Sequence, residues 1–112
     1  MITLSTHALD TLTGKPMEGL EVIMEYCHEG SWRVLSRGVT NTDGRIKEWP
    51  SVDALIPGRY RLIFALEPWC QEHNREVFFP EAILTADLDG SLSHYHLPLL
   101  FSGYGYTTYR GS

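Results

Sequence analysis

The sequence predicts an all-β fold, an antiparallel β-sandwich of seven or eight short strands with one short helix near residues 67–74. Three observations carry that reading. Apolar and polar residues alternate in segments of seven to nine residues along almost the whole chain. Turn signals built on Gly, Asn, Asp and Pro separate those segments at regular intervals. Only one stretch has helix-start chemistry, with Pro68 in its first turn and Glu67 beside it.

The elements follow in order. Residues 2–10 alternate, with Ile2, Leu4, Thr6 and Ala8 on one side and His7 on the more polar face. Thr13-Gly14-Lys15-Pro16 then marks a turn. Residues 20–28 place Leu20, Val22, Met24 and Tyr26 on one side and Glu21 and Glu25 on the other. Glu29-Gly30-Ser31 turns them into residues 32–40, so the two segments read as a hairpin. In Asn41-Thr42-Asp43-Gly44, Asp supplies local bonds and Gly the positive φ of a tight reversal.

Pro57-Gly58 introduces residues 59–66, with Tyr60, Leu62, Phe64 and Leu66 on one face and Arg59 and Arg61 on the other. The helix at 67–74 spans two turns at most, so it must lean on a sheet to persist. Residues 82–88 form a strand that ends at the Asp89-Gly90 turn. Residues 94–101 alternate most clearly, with Tyr95, Leu97, Leu99 and Phe101 opposite His94, His96 and Pro98. Proline cannot donate to a ladder, so this strand is expected at a sheet edge or bulged at Pro98. A last strand is expected within residues 104–110.

Composition narrows the function classes. The 112 residues suit one domain, 1–112, which buries roughly two-thirds of the surface its unfolded chain exposes. A hydrophobic fraction of 43% and a charged fraction of 21% are ordinary for a globular protein. The net charge of −5, without a basic run, argues against a nucleic-acid partner. Isolated arginines can still bind a small planar anion. Cys27 and Cys70 are too few for a disulfide scaffold and are expected to be reduced. With no membrane span, no export-signal pattern and no Ser-Lys-Leu at the end, the expected location is the cytoplasm.

Three features carry candidate chemistry: His7, the pair His94 and His96, and the run Tyr109-Arg110-Gly111-Ser112. Two imidazoles on one side of a strand stand roughly 7 Å apart. A zinc site needs three or four ligands, and no further Cys, His or carboxylate completes one, so no metal and no cofactor are expected. Arg45 follows the Asp43-Gly44 turn, where a solvated loop charge is the ordinary role. From composition and periodicity alone, these residues describe a sandwich with polar-face histidines and name no reaction.

Three separated stretches carry more. Leu4-Ser5-Thr6-His7-Ala8-Leu9-Asp10 with Thr13-Gly14-Lys15-Pro16 comes first, and Thr40-Asn41-Thr42-Asp43-Gly44-Arg45 second. His94-Tyr95-His96-Leu97-Pro98-Leu99-Leu100, followed by Gly105-Tyr106-Thr107-Thr108-Tyr109-Arg110-Gly111-Ser112, is the third. Together they resemble the signatures of the 5-hydroxyisourate hydrolases, enzymatic relatives of transthyretin. The terminal Tyr-Arg-Gly-Ser discriminates best, because transthyretin, a non-catalytic hormone carrier, lacks it. Met17, Gly103 and Cys70 depart from the family pattern without touching a catalytic position.

The resemblance implies a transthyretin-like sandwich that hydrolyses 5-hydroxyisourate, the unstable product of urate oxidation. It places the catalytic roles on His7, Arg45 and His96, and substrate binding on Tyr109, Arg110, Gly111 and Ser112. It further implies a homotetramer, a dimer of dimers with sites at the dimer–dimer interface. Neutral imidazoles suit water activation and leaving-group protonation, and a guanidinium suits the oxyanion. His94 is expected as a wall or supporting residue. The competing reading is a carrier for a small aromatic ligand in the same channel, which has no chemical reason to assemble His7, Arg45, His96 and the tail. A third reading, a purely structural or interaction domain, would need an exposed apolar patch.

Overall fold

Alternation sends every second side chain inward, and the chain satisfies it with two facing sheets. The computed structural model describes residues Met1–Ser112. In chain order the elements are β1 (Thr3–Asp10), β2 (Lys15–Pro16), β3 (Glu21–His28), β4 (Ser31–Val39), β5 (Arg45–Ile46), β6 (Gly58–Phe64), α1 (Leu66–Glu72), β7 (Ala82–Leu88), β8 (His94–Phe101) and β9 (Tyr106–Thr108). One sheet has the order β2-β1-β8-β9, with β5 also pairing β1; the other has the order β4-β3-β6-β7. Every pairing is antiparallel except β1 with β8, which is parallel.

The inward side chains match the sequence pattern. Leu4 and Ala8 of β1, Val22 and Met24 of β3, Tyr60, Leu62 and Phe64 of β6, and Tyr95, Leu97, Leu99 and Phe101 of β8 share one continuous buried core. The β3–β4 hairpin turns on Glu29 and Gly30, at φ 52° and 81°. Two successive left-handed residues form the turn whose twist suits flanking strands.

The helix begins one residue earlier and ends two earlier than the sequence predicts. Leu66, read as the end of a strand, opens the helix instead, and it buries there with Trp69 and Cys70. With seven residues, α1 depends on these contacts and on the Trp69 indole N–H, which donates to the Glu18 carbonyl at 3.0 Å. Just beyond it, Arg75 reaches the Asp10 carboxylate at 2.6 Å while lying over the Trp69 and Phe101 rings. Burial pushes the Asp10 pKa up, but hydrogen bonds from Arg75, Thr13 and the Leu12 N–H outweigh it and hold the carboxyl below its usual range.

The expectation for Pro98 is corrected. β8 is interior, flanked by β1 and β9, and its register with β1 runs without a shift from Thr3↔His94 to Asp10↔Phe101. Proline is tolerated because the β9 ladder covers only Leu99↔Thr108 to Phe101↔Tyr106 and resumes as the single bridge His96↔Gly111. In the gap between them the Pro98 carbonyl accepts from the Thr108 hydroxyl at 2.7 Å, and no ladder donor is required of Pro98. The last strand is correspondingly shorter than residues 104–110.

Candidate active site

The parallel register of β1 and β8 builds the site. It sets Thr3 beside His94, Ser5 beside His96 and His7 beside Pro98, so these side chains interleave on the sheet's outer face. On the other edge of β1, β5 places Arg45 directly opposite His7. The sequence fixes that edge locally. The Asn41 side-chain oxygen accepts from the N–H groups of Asp43 and Arg45, both at 2.9 Å. Gly44 turns the chain at φ 74° with its backbone hard against Ala8, where a Cβ would collide with the Ala8 carbonyl oxygen. Its own carbonyl accepts from the Ala8 N–H at 2.7 Å.

The result is an open cavity of about 520 Å³ lined by Ser5, His7, Arg45, Lys47, His94, His96, Tyr109, Gly111 and Ser112. No Asp or Glu side chain lines it, whereas Arg45 and Lys47 do, so a chain of net charge −5 gathers basic side chains here. A second hollow of about 570 Å³, lined by Trp49 and Leu55 together with Lys47, Glu48 and Asp53, is larger but contains no imidazole. No three His, Cys, Asp or Glu side chains gather to hold a metal ion.

His96 is held on two edges. Its Nδ1 lies 2.7 Å from the Ser5 hydroxyl, and Gly111 packs against its Cδ2 edge. Nε2 is the ring nitrogen with no partner in the chain. Burial first, then Arg45, His7 and His94, lower the His96 pKa. Burial and then Arg45 lower that of His7, with Asp43 pulling the other way. Both rings are therefore kept neutral, the form that accepts a proton from water.

His7, Arg45, His96, Tyr109, Gly111 and Ser112 thus converge on one cavity. Arg110 is exposed and does not line it. Sequence reasoning missed Ser5 and Lys47. A serine in an alternating strand looks like any outward polar residue, and the parallel partner that gives Ser5 its place lies about ninety residues away. His94, expected as a wall or supporting residue, stands on the wall and reaches Ser5 at 2.9 Å.

The family model described as HIUase/Transthyretin family matches residues 4–111, nearly the full chain. The chain belongs to this family. Within the HIUase/Transthyretin family it is 46% identical to the 5-hydroxyisourate hydrolase of Salmonella dublin over 110 residues, covering 97% of this chain and 80% of that protein. The structure of Klebsiella pneumoniae 5-hydroxyisourate hydrolase superposes with a TM-score of 0.87 at 40% identity, covering 100% of both chains. Sea bream transthyretin in complex with thyroxine superposes with a TM-score of 0.89 at 25% identity, over 97% of this chain and 94% of that one. The fold is therefore shared across the HIUase/Transthyretin family and does not by itself decide the function.

Proposed function

We propose that this chain is a 5-hydroxyisourate hydrolase of urate degradation, opening an amide bond of the six-membered ring to give 2-oxo-4-hydroxy-4-carboxy-5-ureidoimidazoline. The observation that carries this reading is the meeting of two neutral imidazoles with a guanidinium in one cavity that no Asp or Glu side chain lines. A passive carrier has no need of that set. The similarity to the Salmonella and Klebsiella hydrolases along the whole chain supports it.

In the proposed mechanism, His96 and His7 orient a water and take its proton as its oxygen attacks the ring carbonyl carbon. Arg45, opposite His7, balances the charge that develops on the carbonyl oxygen. The C–N bond then breaks, the imidazolium returns its proton to the leaving nitrogen, and the carbonyl carbon becomes the carboxyl carbon. Lys47 adds positive charge to the wall. Tyr109, Gly111 and Ser112 close the cavity, and Arg110 acts from its rim. No protein nucleophile takes part.

The proposal extends to the assembly and its setting. One core links both sheets, which supports 1–112 as a single unit. The open site, the free edges of β7 and β9, and the exposed Tyr104, Tyr106 and Tyr109 support a homotetramer with the cavity closed by a second protomer. Light scattering tests this, and a stable monomer at micromolar concentration contradicts it. Two free thiols, Cys27 half-buried and Cys70 buried, fit the reducing cytoplasm.

The function itself is tested by generating 5-hydroxyisourate in situ with urate oxidase and following its ultraviolet absorbance. Decay faster than the spontaneous rate is expected. Spontaneous decay combined with tight thyroid-hormone binding would favour the carrier reading instead.

A further inference from the structure

Beyond His7, Arg45 and His96, the outer face of β1 and β8 holds an unbroken chain of side-chain hydrogen bonds. The Thr3 hydroxyl lies 2.6 Å from His94 Nδ1, His94 Nε2 lies 2.9 Å from the Ser5 hydroxyl, and the same hydroxyl lies 2.7 Å from His96 Nδ1. Ser5 is buried, His96 half-buried, and His94 exposed. Within one protomer the chain thus runs along the cavity wall from half-buried His96 to the more exposed His94.

We propose that Ser5 and His94 form a proton relay that sets the tautomer of His96 and carries its charge outward during turnover. This deepens the hydrolase reading and rests on it for the catalytic part; the tautomer coupling follows from the hydrogen-bond chain alone.

A serine hydroxyl has one proton to donate and faces two imidazole nitrogens here. When Ser5 donates to His96 Nδ1, His96 carries its proton on Nε2. His94 must then donate from Nε2 to Ser5, and Thr3 donates to His94 Nδ1. When Ser5 donates to His94 Nε2, the order reverses. His96 now donates from Nδ1, His94 donates from Nδ1 to Thr3, and His96 Nε2 is left bare toward the cavity. The two rings therefore always share the same tautomer. The first arrangement offers the substrate an acid at His96 Nε2, and the second a base.

Starting from the second arrangement, water gives its proton to His96 Nε2 as it attacks. The Nδ1 proton of the resulting imidazolium passes to Ser5 Oγ while the Ser5 proton passes to His94 Nε2. His96 ends neutral with a proton on Nε2, ready for the leaving nitrogen, and the positive charge sits on exposed His94. This relieves a specific conflict. An imidazolium at His96 faces Arg45 and Lys47 from the β5 segment, His7 from β1 and His94 on its own strand, with no acidic side chain to balance it. As His96 gives its Nε2 proton to the leaving nitrogen, Ser5 returns a proton to His96 Nδ1 and His94 Nε2 returns one to Ser5, so the second arrangement is restored with no net gain or loss of protons.

The coupling is tested on the wild-type protein by nitrogen-15 NMR of the imidazoles, which assigns the protonated nitrogen of each ring. The two rings are expected in matching tautomers, with shifts that move together on titration. His94 and His96 in opposite tautomers would overturn the proposal. Its catalytic part is tested by turnover of 5-hydroxyisourate. Ser5→Ala is expected to lower kcat by about tenfold or more, short of losing the base, with KM within about twofold. Ser5→Thr, which restores a hydroxyl, is expected to keep kcat within about threefold of wild type. A Ser5→Ala enzyme as fast as wild type, or a Ser5→Thr enzyme as slow as Ser5→Ala, would overturn the relay. Failure of wild type to accelerate the decay would instead remove the hydrolase reading, leaving the NMR result to judge the coupling.

Discussion

Gly111 lies so close to His96 that a side chain there would strike the imidazole. Its N–H donates to the His96 carbonyl at 2.8 Å, and a Cβ on Gly111 would stand 2.6 Å from His96 Cδ2. The third residue of Tyr-Arg-Gly-Ser therefore works as a backstop, fixing the ring on the edge opposite Ser5. Gly111→Ala must displace either the ring or the tail. Since a misplacement of about 1 Å can cost a hundredfold, a loss of about that size in kcat is expected, with little change in Tm. The pair of measurements separates a misaligned site from an unfolded one.

Gly44 serves the other edge of the site. Its left-handed backbone and its contact with Ala8 leave no room for a side chain. Gly44→Ala combines strain with a collision against the β1 backbone, and a destabilisation of about 1–3 kcal/mol is expected from urea unfolding. Arg45, the next residue, would move with the turn, so turnover should fall as well.

The pH response follows from the histidines. His7 and His96 both titrate below the ordinary value of 6.5, through burial first and Arg45 second. The acid limb of kcat/KM is expected below pH 6.5, and replacing Arg45 with Gln should move it upward. For folding, the charged rings are disfavoured in the native chain. Between the lowered pKa values and 6.5 the unfolded chain binds more protons. Stability from these two groups is therefore full above 6.5 and declines as pH falls through that window. An acid limb unmoved by Arg45→Gln would contradict the assigned cause.

Asp10 and Arg75 anchor the region after α1 to the end of β1. Their side chains are 4% and 18% exposed, so removing one partner strands a largely buried charge. Asp10→Ala is expected to cost about 3–5 kcal/mol in chemical denaturation at fixed protomer concentration. The lowered Asp10 pKa gives a stabilisation present above its ordinary value of 3.8 and lost as pH falls through the folded value.

The strands were legible because burial of one face imposes a period of two, as in Tyr95, Leu97, Leu99 and Phe101. The turn at 41–44 was legible from Asp43 and Gly44, but its local bonds are made by the Asn41 side chain and not by Asp43 as expected. Pairing was hidden. Nothing local announces that β1 and β8 run parallel, and that register alone puts Ser5 between His94 and His96. Pro98 misled for the same reason: its missing donor faces a gap in the ladder that only the tail's path explains. His7 and His96 stood out as polar-face histidines, but their roles and that of Arg45 came through family resemblance, since an outward histidine names no reaction by itself.

The most direct test is the initial rate of 5-hydroxyisourate decay with His96→Ala set against wild type at equal protein concentration. With His96 as the proton acceptor, turnover should fall by at least about a hundredfold while the fold and assembly persist. A mutant within a few-fold of wild type would show that the proton is taken elsewhere, and that Ser5, Gly111 and Arg45 surround the wrong ring.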